Sequence, residues 1–369
     1  MKVIDIKRFR ILLLITFVSL ISFSPRVYAA GGHGEEGFNA GEMIISHIVD
    51  AYEWHILSIG HTHVSIPLPV ILYDVGQWHV FSSAKFHHGT ESYKGYELAT
   101  EGALKGKIVR KAADGSYIRP YDFSITKNVL GLFIASALVI LTFLYIARMY
   151  RVTRRHAPRG FQAIMEPLII FIRDEVIKAS IGEKYYERFA PYLLTLFFFI
   201  FFNNLMGLIP IFPFGANLTG NLAVTGILAL FTFMTIVIRA NKNYWAHIFN
   251  TPGVPWWLKF PLPLMPIIEL VGMFIKPFVL MVRLFANITA GHIIILGFIS
   301  LIFVFGQSNV FAGFGISILS VVLAIFMNFV ELLVAFIQAF VFTLLSAMYI
   351  GSAVEEHHHE DHAHATEHH

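Results

Sequence analysis

Residues 261–305 form one long apolar run, PLPLMPIIELVGMFIKPFVLMVRLFANITAGHIIILGFISLIFVF. Its only formally charged members are Glu269, Lys276 and Arg283. An arginine at the centre of a membrane helix costs at least about 2.5–3.5 kcal/mol, so it needs a partner or a water-filled path. Because arginine stays protonated at any working pH, Arg283 is a permanent positive charge. A permanent charge at this depth points to a path for ions or protons.

The composition is that of a polytopic membrane protein. Of the 369 residues, 56% are hydrophobic and only 14% are Asp, Glu, Lys or Arg, which lies outside the usual range of soluble domains. The formal net charge of +3 is small and does not suggest nucleic-acid binding. The absence of cysteine excludes disulfides and thiolate metal sites, and no GxxxxGK[ST] phosphate loop is present. We therefore expect no cofactor, and we expect any nucleotide to bind elsewhere.

Residues 1–29 have the pattern of a secretory signal peptide. A positive segment precedes an apolar core, and Val27, Tyr28 and Ala29 supply small residues at the expected cleavage spacing. The alternative is an uncleaved membrane anchor. In either case residues 30–125 are expected outside the cytoplasm. Residues 55–83 alternate apolar and polar residues between Pro and Gly breaks, which predicts a few short strands, and the charged residues 94–119 are expected to lie on the membrane surface.

Two histidine-rich segments leave alternatives open. In the exported region the histidines are either solvated on strands or metal ligands; they are His55, His61, His63, His79, His87 and His88. The tail at 355–369, EEHHHEDHAHATEHH, combines acids with histidines. We expect a disordered cytoplasmic tail, with metal buffering or proton collection as the alternative.

Residues 126–354 are predicted to be the membrane domain. The first span is 128–147, and the arginines that follow it predict a cytoplasmic end; they are Arg148, Arg151, Arg154, Arg155 and Arg159. Residues 161–181 are amphipathic and are expected to lie in the cytoplasmic interface. Residues 191–211 and 222–238 predict a transmembrane hairpin.

The two remaining apolar segments, 262–305 and 311–350, are unusually long. A helix of forty residues is about 60 Å long, roughly twice the hydrocarbon thickness of a bilayer. Both segments must therefore be strongly tilted, broken or nearly horizontal. The short link at 306–310 predicts an antiparallel hairpin. The fold class is thus an all-α polytopic membrane protein, with a small exported region that contains possible short strands.

Polar residues on these two segments follow the helical period. Glu269, Lys276 and Arg283 are seven apart and share one stripe, which Asn287 joins. His292 lies about 180° from Arg283 around the helix. On the second segment the strongly polar residues are Asn328, Glu331 and Gln338, of which the last two share a face.

A histidine and a carboxylate close together across this hairpin would be suited to relaying protons. Glu331 in particular must pair or take up a proton if it is buried. The structural alternative is that Asn287 and Gln338 only join helices by hydrogen bonds, with His292 a satisfied interior histidine.

The motifs around these residues resemble subunit a of the rotary F-type ATP synthase. The resemblance rests on RLFANITAGH at 283–292 and on ELLVAFIQAFVFTLLSAMYI at 331–350. NNLMGLIP at 203–210, ANLTGNLA at 216–223 and ELVGMFIKP at 269–277 are also similar to that family. The similarity covers about 128–356 in one consistent order.

The resemblance implies one span, an interfacial helix, a two-helix hairpin and a horizontal hairpin that wraps a ring of c subunits. It implies that the chain is the proton-translocating stator of the membrane (Fo) sector, with two half-channels. By resemblance, Arg283 is the essential stator arginine that faces the ring's carboxylate. The positions similar to the family's half-channel residues are Asn287, His292, Glu331 and Gln338, with Glu269, Lys276, Asn204 and Asn217 as possible accessories.

The arrangement of His292 on the first long segment and Glu331 on the second is similar to that of mitochondrial relatives; some bacterial members have the two residues exchanged. The implied partners are the c-subunit ring, the b subunits of the peripheral stalk, the F1 sector indirectly and the lipid bilayer. The implied location is a bacterial inner membrane, with the mature N-terminus in the periplasm and the C-terminus in the cytoplasm. Such a chain is not catalytic alone.

The residues leave two other classes of function to compare. A stand-alone secondary transporter could bind an anionic substrate at Arg283, but such folds usually show internal repeats with paired broken helices, and this sequence has no corresponding halves. A structural membrane scaffold does not account for the buried charges.

Overall fold

The computed structural model describes residues 41, 44, 49–59, 62–100, 104–112, 116–152, 158–209, 214–216, 218–249, 264–308 and 310–354. The predicted signal peptide at 1–29, the predicted tail at 355–369, His61 and Asn217 lie outside these residues.

The part before the first membrane helix is built from short antiparallel strands. They are β1 Glu53–Ile59, β2 Thr62–Pro67, β3 Pro69–Asp74, β4 Gln77–Ser82, β5 Tyr96–Leu98, β6 Ile108–Lys111, β7 Tyr117–Ile118 and β8 Tyr121–Asp122. They form the sheets β1–β2, β4–β3–β8 and β5–β6–β7. The strands within 55–83 agree with the alternation of the sequence. The sequence did not indicate the sheet within 94–119, in which Tyr96, Ile108 and Val109 are buried.

A small core holds these sheets together. Val70 and Leu72 on β3 pack with Phe86, which lies on the 3₁₀ helix Ser83–Gly89. Tyr52 donates a hydrogen bond to the Asp122 carboxylate, and burial together with this bond raises the pKa of Tyr52. The described residues contain no group of three His, Asp or Glu side chains placed to hold a metal ion.

The rest of the described chain is helical. The helices are α1 Lys127–Val152, α2 Phe161–Phe171, α3 Ala179–Ile181, α4 Tyr186–Leu208, α5 Leu222–Arg239, α6 Lys242–Phe249, α7 Leu264–Ser308 and α8 Val310–Val354. The π-helix Ile172–Lys178 joins α2 to α3 without a break. Five of the described helices are long and apolar enough to cross a membrane. The prediction of an all-α polytopic membrane protein is confirmed, and the predicted spans agree with the helices within about five residues.

The core of the membrane part surrounds α4. Leu193, Phe197 and Ile200 are fully buried there, in one cluster with residues of α5, α7 and α8. The large apolar side chains on the outside of the bundle are exposed, as expected for helices that face lipid.

The two long helices are antiparallel neighbours. α7 and α8 each contain 45 residues, and α7 runs through Pro277 without a break. Near the turn between them the backbones almost touch, because a Cβ added at Gly313 would lie 2.8 Å from the Gly306 Cα atom. This predicted hairpin is therefore present, with closer packing than its sequence indicated.

The far end of α8 is fixed by two contacts. The backbone N–H of Asn241 donates to Ala353 O at 2.9 Å, and its side-chain amide donates to Val354 O at 2.7 Å. Gly351 packs against the Ser180 carbonyl of α3. The last turn of α8 is thus capped and held against the helix α2–α3.

We predict that Gly351→Ala destabilises the protein. Alanine is the better helix former by about 1 kcal/mol, but the new Cβ would overlap the Ser180 carbonyl oxygen. Overpacking at a filled contact typically costs about 1–3 kcal/mol, so the thermal unfolding midpoint of the purified complex should fall. Ser352→Ala is the matched control, because Ser352 is the next residue of the same helix and its side chain is exposed. A midpoint raised equally in both variants would show that this backbone contact is not made.

Candidate functional site

The hairpin of α7 and α8 brings His292 and Glu331 together. His292 Nδ1 lies 2.6 Å from Glu331 Oε1, and the Glu331 side chain is only 3% exposed. At this distance the two side chains form an ion pair when the imidazole is protonated, and Glu331 Oε1 is shielded from solvent. His292 Nδ1 also lies 3.2 Å from Ile288 O. Because a buried carboxylate needs a cation or a proton, this pair is a natural place for a proton to reside.

Two glycines make room for the pair. A Cβ at Gly291 would lie 2.8 Å from Glu331 Oε1, so the carboxylate occupies the space that a side chain would fill. On α4, a Cβ at Gly207 would lie 4.0 Å from His292 Nε2. The imidazole is therefore enclosed by α4 as well as by α8.

A buried amide joins α4 to α8 one turn away from this pair. Asn204 on α4 donates to Ala335 O at 3.0 Å, one turn beyond Glu331 on α8, and accepts a hydrogen bond from Thr219 at 2.8 Å. We call the four polar residues at this end of α4 the histidine–glutamate cluster; they are Asn204, Thr219, His292 and Glu331. The neighbouring Asn203 is also buried, and its Oδ1 has no partner among the described residues.

Arg283 lies on the other side of α7. Leu280, Leu284 and Ile288 face the core, whereas Arg283 and Asn287 are exposed. Arg283 makes no ion pair or hydrogen bond within the part of the chain that the structure describes. Its guanidinium thus stands unpaired on an apolar surface.

The remaining charged residues of the predicted stripe have separate partners. Lys276 Nζ lies 5.2 Å from the centre of the Tyr349 ring, a cation–π contact with α8. Glu269 lies near Tyr244 on α6, and burial together with this carboxylate raises the pKa of Tyr244. Glu269, Lys276 and Arg283 follow one another at seven-residue spacing along the unbroken α7, and Glu269 and Lys276 lie near different neighbours.

The two other polar residues of α8 differ in exposure. Gln338 is buried, and the register set by His292 and Glu331 places it near the level of Arg283. Asn328 is exposed and donates to Ala324 O of its own helix at 2.8 Å. Of these two residues, only Gln338 therefore points into the interior of the bundle.

A second set of polar side chains, which the sequence did not indicate, joins three helices. Tyr192 OH lies 3.1 Å from Thr232 Oγ1, which lies 3.3 Å from Ser346 Oγ. This hydroxyl chain, Tyr192, Thr232 and Ser346, links the first part of α4, the middle of α5 and the last part of α8. Hydroxyl side chains in apolar helices usually bond to their own backbone, as Thr232 also does to Leu228 O, so they give little signal in a sequence.

Comparisons with known proteins divide the chain in two. Residues 129–351 match the family described as ATP synthase A chain. Residues 43–123 match a family described as a domain of unknown function, DUF8433. The first match contains α7 and all but the last three residues of α8, and the second contains all eight strands of the described residues.

Several similar proteins carry the name ATP synthase subunit a. The one from Chloroherpeton thalassium is 44% identical over 257 residues, which is 67% of this chain and 72% of the relative. The one from Chlorobium phaeobacteroides is 36% identical over 347 residues, 92% of this chain and 82% of the relative. The one from Anaeromyxobacter dehalogenans is 40% identical over 293 residues, 76% of this chain and 72% of the relative. The second alignment covers enough of the chain to include most of the strand-rich part.

We predict that Asn204→Leu destabilises the bundle by about 1–3 kcal/mol, because it leaves the buried Thr219 hydroxyl without its acceptor. Combining Asn204→Leu with Thr219→Val removes both partners, so the double variant should be more stable than Asn204→Leu alone. Thermal unfolding of the three variants in one detergent measures the coupling. Strictly additive losses would show that the two side chains are not bonded.

Proposed function

We propose, from the premise that the chain belongs to the ATP synthase A chain family, that it is the proton-translocating stator subunit of the membrane (Fo) sector. The family is that of a non-catalytic Fo subunit within a rotary ATP synthase complex, and this chain is a multi-pass membrane protein. The observation that carries the finer proposal is the arrangement on α7: a buried titratable pair on one side and an unpaired arginine on the other.

Arg283 would meet its counter-charge on a partner. An exposed guanidinium among apolar side chains such as Val279 and Val282 is unfavourable in lipid unless a negative charge faces it. A carboxylate on a ring of c subunits would supply that charge. Arg283 would then favour the ionised carboxylate and repel protons that might pass directly between the two sides. Asn287, one turn away on the same exposed face, would donate a hydrogen bond to the same carboxylate.

The histidine–glutamate cluster would form the outer half-channel. The positive-inside rule applied to Arg148 and Arg151 puts the end of α4 that carries Asn204 on the outer side. A proton that enters there would be held by His292 and Glu331, which are close enough to share it. Gln338, near the level of Arg283, would lie between the pair and the ring.

The inner half-channel would begin at the hydroxyl chain of Tyr192, Thr232 and Ser346. Tyr192 lies in the first part of α4 and Ser346 in the last part of α8, and the three hydroxyls are joined by distances of 3.1 and 3.3 Å. In the proposed cycle, a proton from the outer path neutralises a ring carboxylate, which rotates through lipid and loses the proton to the inner path. Each elementary charge that crosses supplies about 2.3 kcal/mol per 100 mV.

The proposed partners are the c-subunit ring, the b subunits of the peripheral stalk and, indirectly, the F1 sector. In the proposed topology the strand-rich part lies in the periplasm and the end of α8 faces the cytoplasm. The proposal also divides the chain into three parts: a signal peptide at 1–29, an exported region at 30–125 and the membrane domain at 126–354.

We predict that Arg283→Ala abolishes ATP-driven acidification of inverted membrane vesicles while the complex remains assembled. The reason is that the ring carboxylate loses the charge that favours its ionised form. Asn328→Ala is the control, because Asn328 is also exposed but bonds within its own helix, and it should pump normally. Normal pumping by an assembled Arg283→Ala complex would make this arginine structural.

We also predict that Gly291→Ala slows proton pumping. The added Cβ would lie 2.8 Å from Glu331 Oε1, so the carboxylate must move away from His292; misplacement of reacting groups by such distances lowers rates on the order of tenfold or more. Gly297→Ala on the same helix is the matched control, since a Cβ there has no atom within 4 Å. Equal pumping by the two variants would contradict a role for the close contact.

A further inference from the structure

The sheet β4–β3–β8 has an apolar outer face. Trp78 is 61% exposed, Val80 64%, Tyr121 73% and Phe123 59%. The inner face of the same sheet carries the fully buried Val70 and Leu72. Antiparallel sheets with one face in the core usually turn polar residues outward, so this outer face departs from the usual pattern.

The side chains of this face form one continuous surface. Tyr73 pairs with Trp78 on one neighbouring strand and with Tyr121 on the other. The ring centres of Tyr73 and Trp78 are 5.0 Å apart, those of Trp78 and Phe123 5.5 Å, and those of Tyr73 and Tyr121 6.5 Å. We call this surface the aromatic face; it consists of Ile71, Tyr73, Trp78, Val80, Tyr121 and Phe123. A contiguous exposed apolar patch of this kind marks an interaction site.

The aromatic face is tied directly to a membrane helix. The pairing of β8 with β3 continues beyond Asp122, because the backbone N–H of Phe123 donates to Ile71 O at 2.9 Å and that of Ile125 donates to Pro69 O at 3.0 Å. The span α1 begins at Lys127, whose own N–H donates to Ala51 O at 2.9 Å. The sheet and the start of the span are therefore joined without a flexible linker.

This connection limits the distance of the face from the bilayer. Phe123 is four residues before the first residue of α1, and four extended residues reach at most about 14 Å. The polar headgroup layer on each side of a bilayer is roughly 5–7 Å thick. The edge of the aromatic face that β8 forms therefore lies at most about 14 Å from the start of α1, which is within reach of the headgroups.

The chemistry of the face suits that depth. Trp and Tyr are the residues enriched at membrane–water interfaces, where the ring is apolar and the N–H or O–H stays hydrated. The carboxylates on the same strands are held elsewhere: Asp122 accepts from Tyr52, and Asp74 pairs with Arg110 at 2.8 Å. A surface rich in rings and free of carboxylates is compatible with lipid headgroups.

We propose that the aromatic face binds the surface of the lipid bilayer beside α1, with its rings at the boundary between headgroups and acyl chains. The strand-rich part is then a cap that rests on the membrane, and its lipid contact helps to fix the outer end of α1. This inference depends on the position of the sheet at the membrane and not on the proton pathway.

Spin labels in the assembled complex test this directly. The chain has no cysteine, so Val80→Cys provides one labelling position in this subunit, in a complex whose other subunits lack reactive cysteines. Lys85→Cys is the control, because Lys85 is exposed on the 3₁₀ helix that covers the opposite side of the sheet. In phosphatidylglycerol-containing nanodiscs, collision with oxygen reports lipid and collision with a soluble nickel chelate reports water.

We expect the ratio of oxygen to nickel accessibility to be several-fold higher at position 80 than at position 85. Equal ratios would place the aromatic face in water and overturn the proposal. Shielding of position 80 from both reagents would also overturn it, because a protein segment would then cover the face. Tyr121→Cys gives an independent second position, since Tyr121 is the most exposed ring of the face.

Discussion

The antiparallel contact between α7 and α8 is the constraint on which the membrane part depends. Each helix has 45 residues and is therefore about 68 Å long, more than twice the thickness of the hydrocarbon core. Such a pair cannot stand upright in a bilayer, so it must lie strongly tilted. Gly306 and Gly313 bring the backbones together at one end, and Asn241 caps α8 at the other. A long strip of α7 is thereby presented to whatever lies beside it in the membrane.

The helical period of α7 determines which of its polar residues face outward and which face the bundle. Arg283 and His292 are on opposite sides of α7, so a permanent cation faces outward while a titratable ring faces α8 and α4. The burial of Glu331 against His292 is possible because Gly291 leaves room for the carboxylate. One helix thus separates an internal position for a proton from an external charge, which is the separation that the proposed half-channels require.

Hydropathy and helical spacing predicted much of this arrangement. The long apolar runs located every span, and the fixed rotation per residue predicted that Arg283 and Asn287 share a face opposite His292. Spacing could not predict which neighbour each residue meets, as for Lys276, which contacts Tyr349 on α8. The hydroxyl chain of Tyr192, Thr232 and Ser346 depends on three helices meeting, and β8 pairs with β3, which lies far from it in the sequence. Such long-range contacts leave no periodic pattern in the sequence.

The central claim is that Arg283 faces a carboxylate on a rotating ring, and the most direct measurement is a cryo-electron microscopy structure of the assembled complex. The account predicts that the Arg283 guanidinium lies within about 4–6 Å of a ring carboxylate at closest approach, the range over which an opposite charge favours ionisation. Asn287 should line the same contact, with His292 and Glu331 behind it. A structure in which Arg283 faces lipid, or in which a different surface of α7 and α8 contacts the ring, would contradict the account.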